Sequence, residues 1–143
     1  MNNLQNYIGV KLLKAKPMTR GAYNSYRGWD PPKEENYHED GFLVVYPDGY
    51  ESWSPKPQFD EAYRLIDGGH MNFGLAVEAL KKDLKVAREG WNGKDMYLQY
   101  EKAKDFEYSE MLPFIVMKTV QNTFVPWLAS QTDMLSDDWF VVE

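Results

Sequence analysis

The stretch Asp67-Gly68-Gly69-His70-Met71-Asn72-Phe73-Gly74-Leu75-Ala76-Val77-Glu78-Ala79-Leu80 decides how this chain is read. Its first four residues set two glycines between polar neighbours, the composition of a flexible joint, and a domain boundary is expected there. From Asn72, whose side chain suits an N-cap, the apolar residues Phe73, Ala76, Val77 and Leu80 recur at i, i+3, i+4, i+7. That spacing predicts a helix ending near Asp83. Residues 1–66 are then expected to form a small β-rich module with a C-terminal helix, 67–70 the linker, and 71–143 a second domain.

Upstream of the joint, Tyr7 to Lys16 carries Ile8, Val10 and Leu12 at period two and reads as a strand. Residues 17–40, broken by Pro17, Gly21, Gly28, Pro31 and Pro32 and ending in an acidic run, read as a long solvated loop. Phe42 to Tyr46, Pro47-Asp48-Gly49 and Tyr50 to Trp53 together predict a hairpin. Proline presets the turn, Asp accepts a local hydrogen bond and Gly takes positive φ. Gln58 to Ile66 predicts a short helix with Phe59, Ala62, Tyr63 and Ile66 on one face.

Downstream, strands are expected at Lys85–Arg88, Met96–Tyr100, Pro113–Val120, Thr123–Trp127 and Asp138–Val142. The charged segment Glu101–Glu110 reads as a mobile solvated excursion. The expected fold class is α+β: two small domains, each an antiparallel β-sheet with one short helix.

Composition removes several classes of function. Across 143 residues there is no cysteine, which excludes disulfides, thiolate catalysis and Cys-based metal sites. A net charge of -6 argues against a long nucleic acid as partner, because such affinity comes from many Lys and Arg displacing counterions. The first residues lack a basic region ahead of an apolar stretch, and no apolar run is long enough to cross a bilayer. No membrane association is therefore expected, and the cytoplasm is the expected location.

The catalytic inventory is thin. His38 lies in the acidic loop and His70 in the glycine joint, so neither has a local frame for a triad or a metal site. Asp137-Asp138 and Glu34-Glu35 are adjacent pairs whose side chains diverge if extended. No phosphate-cradling glycine motif occurs. No catalytic residue, metal ligand or cofactor is expected.

Two turns concentrate polar residues beside tryptophan: Ala87-Arg88-Glu89-Gly90-Trp91-Asn92-Gly93-Lys94 and Val125-Pro126-Trp127-Leu128-Ala129-Ser130-Gln131-Thr132-Asp133-Met134-Leu135. Indole faces stack on a purine, Arg and Lys pair with phosphates, and Asn, Gln, Ser and Asp read hydroxyls and base edges. The combination suits a nucleotide. The same indoles equally suit a core or an oligomer interface. Trp29 and Trp53 are expected to cover the N-terminal sheet, and Trp139 to lie in the core.

The stretch 71–143 resembles a phage domain family that includes the Thoeris anti-defence proteins of the second type. The likeness rests on Met71-Asn72-Phe73-Gly74-Leu75-Ala76 with Glu78-Ala79-Leu80, on Val86 through Lys94, on Pro113-Phe114-Ile115-Val116-Met117-Lys118-Thr119 and on Val125 through Asp138. The resemblance implies a small α+β protomer that assembles into a homo-oligomer, a tetramer or dimer, with pockets between protomers. It implies a molecular sponge that sequesters the cyclised ADP-ribose signal made by TIR-domain enzymes without cleaving it, some relatives holding cyclic oligonucleotides as well.

Carried onto this chain, Trp91, Asn92 and Lys94 from the first turn and Trp127, Ser130, Gln131, Asp133 and Met134 from the second become ligand-binding candidates, with Arg88 as a further one. Alternatives from the residues are an enzyme that degrades a cyclic nucleotide, or a phage protein-interaction module. Residues 1–70 are similar to a small module found ahead of this domain in phage proteins.

Overall fold

The computed structural model describes residues 4–102, 104–106 and 109–143. The chain divides into two compact units, Met1–Tyr63 and Arg64–Glu143. The α+β class with antiparallel sheets is as expected, but among the described residues each unit carries two helices where one was expected.

In the first unit, β1 (Lys14–Pro17), β2 (Gly41–Val45) and β3 (Glu51–Pro55) form an antiparallel sheet in that order. The β2–β3 hairpin closes as its sequence predicts. Tyr46 N–H donates to the Tyr50 carbonyl at 2.9 Å, Asp48 Oδ1 accepts from Tyr50 N–H at 3.0 Å, and Gly49 sits at φ 90°. The expected strand from Tyr7 is cut short. Lys14 already pairs with Val45, the last residue of β2, so the residues before it have no partner strand to face, and Ile8 is fully exposed.

The expected loop over 17–40 contains a helix, α1 (Arg20–Arg27). Thr19 caps it, its side chain accepting from Ala22 N–H at 3.2 Å, and Gly28 ends it in the left-handed region at φ 70°. Its inward residues are Tyr23 and Asn24 rather than aliphatic ones, so hydrophobic periodicity is silent there. Helix α2 (Lys56–Ala62) starts two residues before the expected Gln58 and stops short of Ile66. Phe59 stacks on Phe42 at 4.0 Å, which fastens α2 to the sheet.

In the second unit the strands are β4 (Lys85–Arg88), β5 (Tyr97–Glu101), β8 (Phe114–Lys118), β9 (Phe124–Pro126) and β10 (Trp139–Val142). Their order in the sheet is β10-β4-β5-β8-β9, all neighbours antiparallel. The C-terminal strand thus lies at one edge beside β4. The segment expected as a solvated excursion instead holds β6 (Lys104–Phe106) and β7 (Ser109–Met111), which pair with each other. Backbone pairing within the segment satisfies groups that an open loop would leave to water.

Helix α3 (Phe73–Lys81) lies on this sheet, capped by Asn72, whose Oδ1 accepts from Leu75 N–H at 2.9 Å. Ala76, Ala79 and Leu80 of α3 pack with Val86, Leu98, Met71 and Trp139 into the buried core. Each large apolar side chain there contributes roughly 1.5–3 kcal/mol through removal from water. Ile66 joins the same unit, its carbonyl accepting from Val141 N–H at 2.7 Å, and Met71 bridges to Trp139. The chain either side of residues 67–70 is therefore tied to β10.

A tryptophan corner in the second unit

The end of β4, the turn after it, the chain after β9 and the start of β10 meet at one corner of the sheet. Trp139 opens β10 and is fully buried. Trp91 stands edge-on to it with ring centroids 5.4 Å apart, Trp127 lies at 6.1 Å from Trp139 and 6.5 Å from Trp91, and Phe73 of α3 closes the group at 5.5 Å from Trp139. The edge-to-face pairs among the three tryptophans let each ring place its positive rim on its neighbour's negative face. Trp139 is core as expected. Trp91 and Trp127 are half-buried: each rests on that core and keeps part of its surface at solvent.

Asp133 is the hub that fixes these rings. It lies in the short helix α4 (Gln131–Met134), capped by Ser130, whose Oγ accepts from Asp133 N–H at 3.0 Å. One carboxylate oxygen, Oδ1, accepts from Arg88 Nη1 at 2.7 Å and from Trp91 Nε1 at 3.2 Å, while the other accepts from the Ser130 hydroxyl at 2.9 Å. The Asp133 carbonyl takes the Trp139 indole N–H at 3.0 Å.

Arg88 spans two acids, because its Nε also donates to Asp138 Oδ1 at 2.8 Å. Asp138 in turn accepts from Gly90 N–H at 2.9 Å, which holds the turn that carries Trp91. Only about 14% of the Arg88 and Asp133 side chains is exposed, so that pair is largely removed from water, while Asp138, 30% exposed, stands nearer the surface.

The electrostatics follow from these contacts. Burial raises the Asp133 carboxyl, but hydrogen bonds from Arg88, Ser130 and Trp91 together outweigh it and leave it below the ordinary carboxylate value. Asp138 is lowered chiefly by the Arg88 hydrogen bond, and the two acids raise the guanidinium further, Asp138 contributing most. Both carboxylates are accordingly weak bases at neutral pH.

The structure therefore brings together Arg88, Trp91, Trp127, Ser130 and Asp133 from two turns separated by more than thirty residues. It commits Arg88, Ser130 and Asp133 to one another. Asn92, Lys94, Gln131 and Met134 are exposed around them. Asp138, Trp139 and Phe73 were missed as members of the site. For Asp138 a signal existed: of the adjacent pair Asp137-Asp138, alternation sends one residue outward and the other against β4, and Asp137 is the exposed one.

Elsewhere, His38 and His70 are both exposed. Among the described residues no group of three or more His, Asp or Glu is placed to hold a metal ion, and no helix is long and apolar enough to cross a membrane.

Comparison with known proteins places this corner within a described family. Residues 71–142 match the Thoeris anti-defense 2-like domain. Thoeris anti-defense 2 of Bacillus phage SP01 is 42% identical over 84 residues, spanning 50% of this chain and 94% of the phage protein. The match covers α3, the whole five-stranded sheet and the tryptophan corner, and ends one residue before the C-terminus.

Proposed function

The chain belongs to the Thoeris anti-defense 2-like family, and from that membership together with the tryptophan corner we propose that it blocks Thoeris defence by capturing a cyclised ADP-ribose signal made by TIR-domain enzymes. Capture is stoichiometric and the signal is released intact. The observation that carries the reading is the convergence of the two tryptophan turns on Asp133, which sets half-exposed indoles beside exposed Asn92, Lys94, Gln131 and Met134.

Trp91 and Trp127 supply faces for the purine, Lys94 a phosphate contact, and Asn92 and Gln131 contacts to ribose hydroxyls. Met134 supplies adaptable apolar contact. Arg88, Ser130 and Asp133 hold this set in place, which lowers the ordering cost of binding. The reading includes no catalysis: the two carboxylates at the corner are held below the ordinary range by Arg88 and make poor general bases.

The site is completed in a homo-oligomer, a tetramer or dimer acting in the host cytoplasm. Phe124 and Val125 on the edge strand β9, with Leu128 and Leu135 nearby in sequence, expose apolar surface of the kind an assembly buries.

The test incubates purified protein with a TIR-generated signal mixture, filters away free nucleotide, denatures the protein and identifies what it releases by mass spectrometry. Intact cyclised ADP-ribose is the expected product. Linear ADP-ribose formed with turnover would make the protein an enzyme, and signal left in the filtrate would refute this ligand. Trp127→Phe, which keeps a ring against Trp139, is expected to weaken capture without loss of the oligomer.

A further inference from the structure

The first unit holds a cleft of its own. It is an open groove of about 330 Å3 between α1 and β3, lined by Asn24, Arg27, Trp29, Glu35, Tyr50 and Glu51 among others. That volume lies at the lower end of the range for small-molecule sites.

Local structure explains its chemistry. Helical spacing puts Tyr23, Asn24 and Arg27 on one face of α1. The left-handed Gly28 then turns the chain so that Trp29 folds back edge-on to Tyr23, with centroids 5.7 Å apart and planes at 85°. The Arg27 guanidinium lies over the Trp29 ring at 4.9 Å. A guanidinium carries its five N–H donors along its edge.

Glu51, at the start of β3, comes within 3.8 Å of that edge, beyond direct hydrogen-bond range. Its oxygens accept from the Tyr26 hydroxyl at 2.9 and 3.0 Å and keep further lone pairs. A donor edge and an acceptor carboxylate thus stand side by side, each with capacity to spare. At the back of the cleft, Asn24 is buried and donates to Glu35.

The lining carries as many cations, Arg20 and Arg27, as carboxylates, Glu35 and Glu51, so it favours a neutral ligand over a phosphate-rich one. Trp29 and Tyr50, 52% and 65% exposed, favour a flat one. Nucleobases are neutral planar groups whose edges set acceptors beside donors, and among them guanine sets one acceptor beside two donors. Guanine offers O6 next to N1–H and the N2 amine, two donors for a carboxylate, where adenine offers its N6 amine alone.

We propose that this cleft binds a purine base, guanine in preference to adenine, with Arg27 on O6, Glu51 on N1–H and N2, and Trp29 and Tyr50 against the ring. The site stands in the first unit and does not depend on what the tryptophan corner binds.

The test is calorimetric titration of the full chain with guanosine, inosine and adenosine, none of which carries a phosphate. Guanosine is expected to bind, with inosine, which lacks the N2 amine, and adenosine each weaker by about tenfold or more. Arg27→Gln is expected to weaken guanosine by a similar factor, and Glu51→Gln to abolish the difference between guanosine and inosine.

Because either variant could loosen the hairpin, the unaltered protein supplies a second measurement: guanosine shifts the Trp29 indole resonance in the NMR spectrum. Absence of guanosine binding, equal affinity for all three nucleosides, unchanged binding in folded Arg27→Gln, or an unmoved Trp29 resonance would each overturn the proposal.

Discussion

Replacing Asp133 with alanine removes one carboxylate and leaves the surrounding backbone contacts in place. The Ser130 cap survives, because Ser130 Oγ accepts from the backbone N–H of residue 133, and so does the bond from Trp139 to the residue 133 carbonyl. What is lost is the charge-assisted bond from Arg88 at 2.7 Å, the acceptor for the Trp91 indole N–H at 3.2 Å and the exposed Ser130 hydroxyl's bond to Oδ2 at 2.9 Å, which water replaces.

A hydrogen bond to a charged group contributes about 1.5–3 kcal/mol and a neutral donor's bond about 1 kcal/mol. Arg88 keeps Asp138, which limits the cost of stranding a guanidinium. The expected loss is therefore about 3 kcal/mol, with Asp133→Asn near half of that because an amide oxygen still serves Trp91. In urea, with a slope of about 1–1.5 kcal/mol per molar for so small a unit, the second unit's midpoint should fall by about 2–3 M. The assay is equilibrium unfolding followed by tryptophan fluorescence, with the first unit's transition as internal control. A loss under about 0.5 kcal/mol for Asp133→Ala would refute the hub.

Acid should act on the same triad. Asp133 and Asp138 have folded pKa values below the ordinary carboxylate value. Their contribution is fully present above about pH 4–5 and is lost as pH falls through the folded values, since protonation then breaks the bonds to Arg88. Unfolding curves measured between about pH 5 and 3 should show the second unit weakening, and Arg88→Met should flatten that dependence; identical slopes would contradict the assignment. In the first unit, Gly41→Ala drives a Cβ into the Trp53 ring and the Ser54 carbonyl, whereas Gly49 has open space and only a positive φ to strain. Thermal melts should show a loss of about 2–3 kcal/mol or more for Gly41→Ala and about 1 kcal/mol for Gly49→Ala, and the reverse order would contradict the packing.

Much of the second unit was legible in the chain. Lys85–Arg88 is a strand with the bounds its residues predict, and α3 follows its Asn72 cap and its apolar spacing. Both signals are local, resting on alternation and capping. Helix α1 was missed although Thr19 and Gly28 bracket it at helical spacing, because Gly21 within it marks close packing against Tyr37 rather than a break. The pairing of β6 with β7 escaped because charged residues dominate that stretch, and backbone pairing makes no demand on hydrophobicity.

Sequence by itself determined the class of fold, the hairpin at Pro47-Asp48-Gly49, the Asn72 cap and the two turns where tryptophan meets polar side chains. These depend on neighbours a few residues apart, whose propensities act before any packing. Tertiary structure alone decided what those turns do for one another. The run of β10 beside β4 brings Asp138 to Arg88 across fifty residues, and α4 then carries Asp133 to Arg88 and Trp91. Whether an aspartate holds a scaffold or faces a ligand depends on which donors the closed chain delivers to it, and long-range pairing is what delivers them.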